Sequence, residues 1–101
     1  MKIITVCGSL KFKQQALEIT EKLAFEGNCM ITPIDLSNQD IKQYTKEQIL
    51  TLKNMHKEKI KIADAILVID IDGYIGDSTK NEIEYAKSLN KEIIYYSELV
   101  K

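Results

Sequence analysis

The run Ala65-Ile66-Leu67-Val68-Ile69 contains no polar residue. A strand that is apolar on both faces must be covered on both faces, which is the situation of an inner strand in a parallel sheet with helices above and below. The segments around it fit that plan. Residues 2–7 are a β-branched run that stops at Gly8-Ser9, and residues 11–26 then carry Phe12, Ala16, Ile19 and Leu23 at helical spacing. Gly27-Asn28 reads as a helix C-cap, followed by a strand at 29–32 that ends at Pro33. Thr45 with Gln48 makes a capping-box pattern ahead of Ile49, Leu52, Met55, Ile60 and Ala63. Residues 79–89 predict a third helix and 93–96 a last strand. The expected fold is α/β: a parallel sheet of four strands, or five with a short one around residues 34–36, flanked by helices and joined by right-handed crossovers.

A chain of 101 residues supports one core, so the whole of it is expected to be a single domain. All 14 basic residues are lysines, set against 15 acidic ones. A net charge of −1 gives no electrostatic reason to expect a nucleic-acid polymer as partner. Without arginine, a bound anion has to be held by backbone N–H groups, hydroxyls and lysine ammonium groups. Cys7 and Cys29 lie in apolar strand-like runs and read as reduced core residues, with neither a disulfide framework nor zinc-ligand spacing; no metal or cofactor is expected. The opening apolar run is short for a signal peptide, and no stretch reaches the roughly 18 apolar residues of a membrane span, so a cytoplasmic location and no membrane contact are expected.

In open parallel sheets ligands bind beyond the carboxyl ends of the strands, where helix N-termini present unpaired N–H groups. Two segments fall on that edge. In Cys7-Gly8-Ser9-Leu10-Lys11, Gly8 lets the backbone approach a ligand and Ser9 adds a hydroxyl, although Ser9 could equally be a simple N-cap. The second segment runs from Asp70 through Asp72, Tyr74, Gly76, Asp77, Ser78 and Thr79 to Glu82. Glu82 reads either as a site carboxylate, kept ionised by the helix dipole, or as the second half of a Thr79–Glu82 capping box. His56, the only histidine, sits four residues from both Leu52 and Ile60 on the apolar stripe of its helix, a position that ordinarily means a buried, hydrogen-bonded core residue.

The stretches ITVCGSLKF, IADAILVIDIDGYIGDSTKNEIEYA and NKEIIYY, in that order, resemble the nucleoside 2-deoxyribosyltransferase-like superfamily, which includes deoxynucleoside 5′-monophosphate N-glycosidases. The resemblance implies a flavodoxin-like, Rossmann-like fold and a glutamate, here Glu82, that attacks C1′ of a nucleoside or nucleotide. It implies no metal or organic cofactor. Gly8 and Ser9 match the superfamily's Gly-Ser of the sugar-phosphate site, and Lys11 stands where the monophosphate hydrolases carry Arg. His56 stands eight positions before Asp64, where relatives place an Asp, which makes it a candidate hydrogen-bond or acid group. Gly76 and Ser78 occupy positions where many relatives have Ser or Asp and then Gly. Glu84 stands where relatives commonly have Gly.

On this reading Glu82 is the nucleophile, Asp72 or Asp70 protonates or orients the departing base, and Tyr74 stacks on the base or covers the site. The chain is expected to act on a small nucleoside or nucleotide and to assemble as a homodimer or larger homo-oligomer, with Tyr95 and Tyr96 at the interface. The alternative is a protein on the same fold that holds a nucleotide or ADP-ribose-like ligand without cleaving it. A response-regulator phosphoacceptor is excluded, because that chemistry needs paired acids after the first strand and Cys7-Gly8-Ser9 stands there.

Overall fold

The computed structural model describes residues 1–34 and 44–100, with Leu10 described by its backbone alone. Four parallel strands, β1 (Ile3–Cys7), β2 (Cys29–Ile31), β3 (Ala65–Val68) and β4 (Glu92–Tyr95), form one sheet in the order β2-β1-β3-β4. Between them run α1 (Lys13–Phe25), α2 (Lys46–Ile62) and α3 (Asp77–Ser88), and a single turn, α4 (Tyr96–Leu99), closes the chain. Of the fifth strand expected around 34–36, Ile34 is not in a strand and the remainder lies outside the described residues.

Strand alternation sorts the core into two layers. Ile4, Val6, Ala65, Leu67 and Ile69 face one side and pack with Ile19 and Leu23 of α1. Cys7, Ile66 and Val68 face the other and pack with Ile60 of α2 and with Ile83 and Ala86 of α3. The chain moves from β1 outward to β2 and then crosses back to β3, and the covering helix changes face with it, as a fixed crossover hand requires. The strand order therefore reverses between β1 and β3, which run side by side with Cys7 opposite Val68. A crevice outside the carboxyl ends of these two strands is the topological switch point of such a sheet.

The ends of the helices follow local chemistry. Gly27, at φ 100°, donates to Ala24 O at 3.0 Å while Asn28 N donates to Leu23 O at 3.2 Å, the paired bonds of a Schellman cap. Thr45 and Gln48 complete the expected capping box of α2 in both directions, at 3.0 and 2.9 Å. Asp64 ties the sheet together at its other end: its carboxylate accepts from Ile3 N at 2.8 Å and its own N–H donates to Ile3 O at 2.8 Å.

Two sequence expectations are corrected. Cys29 is exposed rather than core, because it opens the short strand β2, which among the described residues is paired on one side only. Tyr96 leaves the last strand and begins α4; it packs on the α1 side of the sheet while Tyr95 packs on the α2–α3 side.

Candidate active site

At the switch point the first strand ends in Cys7, Gly8 and Ser9, and the loop after β3 leads through Gly76 into α3. Between them, closed on one side by α2, is a cleft of about 400 Å³. Gly8, Ser9, Tyr74, Gly76, Asp77, Ser78, Thr79, His56 and Glu82 all line it. The two segments singled out in the sequence thus meet.

Glu82 turns toward α2. Its Oε2 lies 3.1 Å from Nε2 of His56, and both side chains are mostly buried, at 19% and 15% exposure. The capping-box alternative fails because α3 begins three residues earlier than that pattern suggested. Gly76 is its N-cap, no side chain caps it, and Thr79 is already inside the helix. Thr79 is buried, and together with Ile83 and Ala86 it fixes the inward stripe of α3, leaving Glu82 beside that stripe at the floor of the cleft. A second opening, between α2 and α3, also reaches His56 and Glu82, so the pair is accessible from two sides.

His56 is likewise not the core residue its periodicity suggested. Four residues on, Ile60 is fully buried against the sheet, and Thr5 Oγ1 donates to Lys59 O at 2.7 Å, which pins this part of α2 to β1. One turn earlier the helix runs past the end of β1. Leu52, Met55, His56 and Lys59, spaced as one helical stripe, therefore line the cleft instead of the core.

His56 Nε2 also lies 3.4 Å from Cys7 Sγ. A carboxylate only accepts, so the hydrogen-bond pattern assigns the ring proton to Nε2, donated to Glu82. The thiol of Cys7 then faces Thr5 O at 4.0 Å. Burial, and next the charge of Glu82, push the Cys7 thiol well above its usual range, so it stays protonated at neutral pH. One thiol is therefore expected to react fast with an aromatic disulfide reagent under native conditions. Cys29→Ser should abolish that fast phase, and Cys7 should react only on unfolding.

Asp70 and Asp72 do not join Glu82. Both carboxylate oxygens of Asp70 are engaged by Ser97, from its N–H at 2.9 Å and its hydroxyl at 2.7 Å, so Asp70 anchors α4. Asp72 is exposed on a 3-10 turn at φ 53°, away from the cleft lining. Asp70→Asn is expected to cost about 1–2 kcal/mol in urea unfolding, since one of its two acceptors becomes a donor, while leaving the cleft intact.

Lys11 is also outside the cleft lining. Its Nζ stands 3.5 Å above the Tyr74 ring, and Phe12 meets the same ring edge-on at 5.7 Å. Tyr74 is thus held at the cleft mouth from outside. The N-cap reading of Ser9 holds, since its Oγ accepts from Lys11 N at 3.3 Å, and the residue also lines the cleft. Of Leu10 only the backbone, in the same 3-10 turn, is described.

Cys7 and Lys59 were not among the sequence candidates. Lys59 Nζ donates to Thr32 O at 2.9 Å and brings positive charge to the cleft wall. Its place in the 52-55-56-59 stripe was the available signal; Cys7 had none, because its contact with His56 spans 49 positions.

In fold the chain is similar to a 2-desoxiribosyltransferase from Leishmania mexicana. The two superpose with a TM-score of 0.69 at 16% identity, covering 95% of this chain and 64% of that one. The chain thus spans less than two thirds of that protein's length. No family model and no curated protein matches the sequence. The α/β architecture and the flavodoxin-like expectation stand on this likeness and on the strand order. Among the described residues no helix is long and apolar enough to cross a membrane.

Proposed function

We propose that the protein cleaves the N-glycosidic bond of a nucleoside or nucleoside 5′-monophosphate, as an N-glycosidase or a deoxyribosyltransferase, with Glu82 as nucleophile. The observation that carries the reading is the Glu82 carboxylate held by His56 at the floor of a cleft at the switch point of a parallel sheet. The superfamily resemblance and the folding of a 2-desoxiribosyltransferase in the same way support it.

Glu82 attacks C1′, the bond from C1′ to the base nitrogen breaks, and a glycosyl ester forms; water or a second base then displaces the carboxylate. A nucleophile for this step has to be ionised and aimed. The Nε2–H of His56 fixes one oxygen of Glu82, leaving the other for the sugar. The departing base needs a proton. With Asp70 and Asp72 outside the cleft lining and the His56 Nε2–H given to Glu82, the remaining cleft-lining groups that exchange one are Asp77, Tyr74 and Lys59. The uncapped start of α3, with Ser78 and Ser9, offers N–H and hydroxyl donors to the sugar, and Tyr74 at the mouth offers a ring to the base.

A binding protein without turnover is the second reading, favoured by the absence of Asp70 and Asp72 from the cleft lining. Free-base release from a panel of nucleosides and 5′-monophosphates tests both. Release by the wild type that disappears in Glu82→Ala supports the nucleophile. Release that survives in Glu82→Ala overturns it, and tight binding with no release selects the second reading. Homodimer formation, also proposed, is checked by light scattering.

A further inference from the structure

The geometry points to a zinc-class metal site formed by Cys7 Sγ, His56 Nε2 and Glu82 Oε2. These three atoms come from β1, α2 and α3 and all lie within 4.8 Å of one another. The nitrogen is 3.4 Å from the sulfur and 3.1 Å from the carboxylate oxygen. Zinc bonds of about 2.0–2.3 Å arranged tetrahedrally put ligand atoms roughly 3.3–3.6 Å apart, so these two edges are within a few tenths of an ångström of a coordinated set, and the sulfur–oxygen edge, which lies within 4.8 Å, closes by up to about 1.2 Å on binding.

In the metal-free protein the one proton on His56 Nε2 goes to Glu82 and the Cys7 S–H faces Thr5 O, so the short approach of that nitrogen to the sulfur carries no hydrogen bond of its own. A cation at the common point of the three atoms satisfies all of them. The ligand set is soft enough in its sulfur to select zinc, cobalt or copper over magnesium and calcium. It is also neutral as a unit, since thiolate and carboxylate together balance a dication, which suits a mostly buried position. The cleft leaves a fourth position open to water.

Proton balance is simple. The Cys7 thiol gives up its proton to solvent as the metal–sulfur bond forms, and neutral His56 moves its ring proton from Nε2 to Nδ1. Each metal ion bound thus releases one proton. The site exists independently of the function proposed above; its consequence rests on that reading. A metal on Glu82 occupies the nucleophile, so zinc is a reversible inhibitor.

The test uses the full chain carrying Cys29→Ser, which removes the exposed thiol, freed of metal and titrated with cobalt chloride and then zinc chloride. The expected result is one cobalt per chain, a near-ultraviolet thiolate-to-cobalt band, visible bands of tetrahedral strength, and displacement by zinc but not by magnesium. Cys7→Ser should lose the near-ultraviolet band, and Glu82→Gln or His56→Gln should weaken binding by at least about tenfold. No band at saturating cobalt overturns the site, as does a band that persists in Cys7→Ser or an affinity unchanged in both other variants. Base release measured in chelator separates the two readings: its loss in Glu82→Gln there concerns the nucleophile alone.

Discussion

Base release by Glu82→Gln is expected to fall by about 10³-fold or more, and by His56→Ala by about 10²-fold, with both proteins folded. The two side chains share a hydrogen bond but do different things in it. Gln at 82 keeps an oxygen for the His56 N–H at the position where Oε2 now lies 3.1 Å away, but an amide is too poor a nucleophile to form the glycosyl ester. Ala at 56 leaves the carboxylate in place and removes the donor that aims it, so the loss is that of one positioning hydrogen bond rather than of the reacting group. KM should move little in His56→Ala, and His56→Gln, whose amide N–H can reach the same oxygen, should recover part of the rate. Initial rates of free-base release with circular dichroism of each variant check this. A His56→Ala enzyme as fast as wild type removes the histidine from the mechanism.

What periodicity made legible was the set of contacts within one element. The apolar run at Ala65–Val68 dictated a central strand, and it is fully buried between two strands. The Thr45–Gln48 and Gly27–Asn28 patterns worked because their hydrogen bonds are local. The errors arose where a helix and a sheet differ in extent. The stripe of α2 was read as core throughout, yet it runs past the end of β1, so that Ile60 is core and His56 is cleft. Asp70 and Asp72 are near Glu82 in sequence but not in the cleft. The 3-10 turn after β3 turns Asp72 outward, and Ser97, 27 positions away, takes Asp70. The Cys7–His56–Glu82 cluster joins three elements, and no spacing rule could have assembled it.

Gly8→Ala is expected to lower stability by about 1–3 kcal/mol, a fall in melting temperature of roughly 4–24 °C for a domain of this size. The sequence made Gly8 a residue that lets a ligand approach the backbone. The structure adds a demand present without any ligand. A Cβ at position 8 would stand 2.8 Å from Cβ and 3.2 Å from Cγ1 of Ile69, and Ile69 is itself buried at 2% exposure. The clash cannot be relieved by a rotamer, because a Cβ moves only with its backbone. That backbone is fixed by the Ile69 N–H donating to Cys7 O at 2.9 Å, so relief means parting the ends of β1 and β3 at the very place where the cleft begins. Gly76 supplies the contrast, since a Cβ there would meet nothing nearer than Tyr74 Oη at 3.4 Å, and Gly76→Ala should leave the melting temperature within a few degrees. If Gly8 serves only ligand approach, the ligand-free Gly8→Ala protein melts with the wild type and differs only in binding; if packing against Ile69 governs, thermal unfolding of the ligand-free protein shows the full deficit.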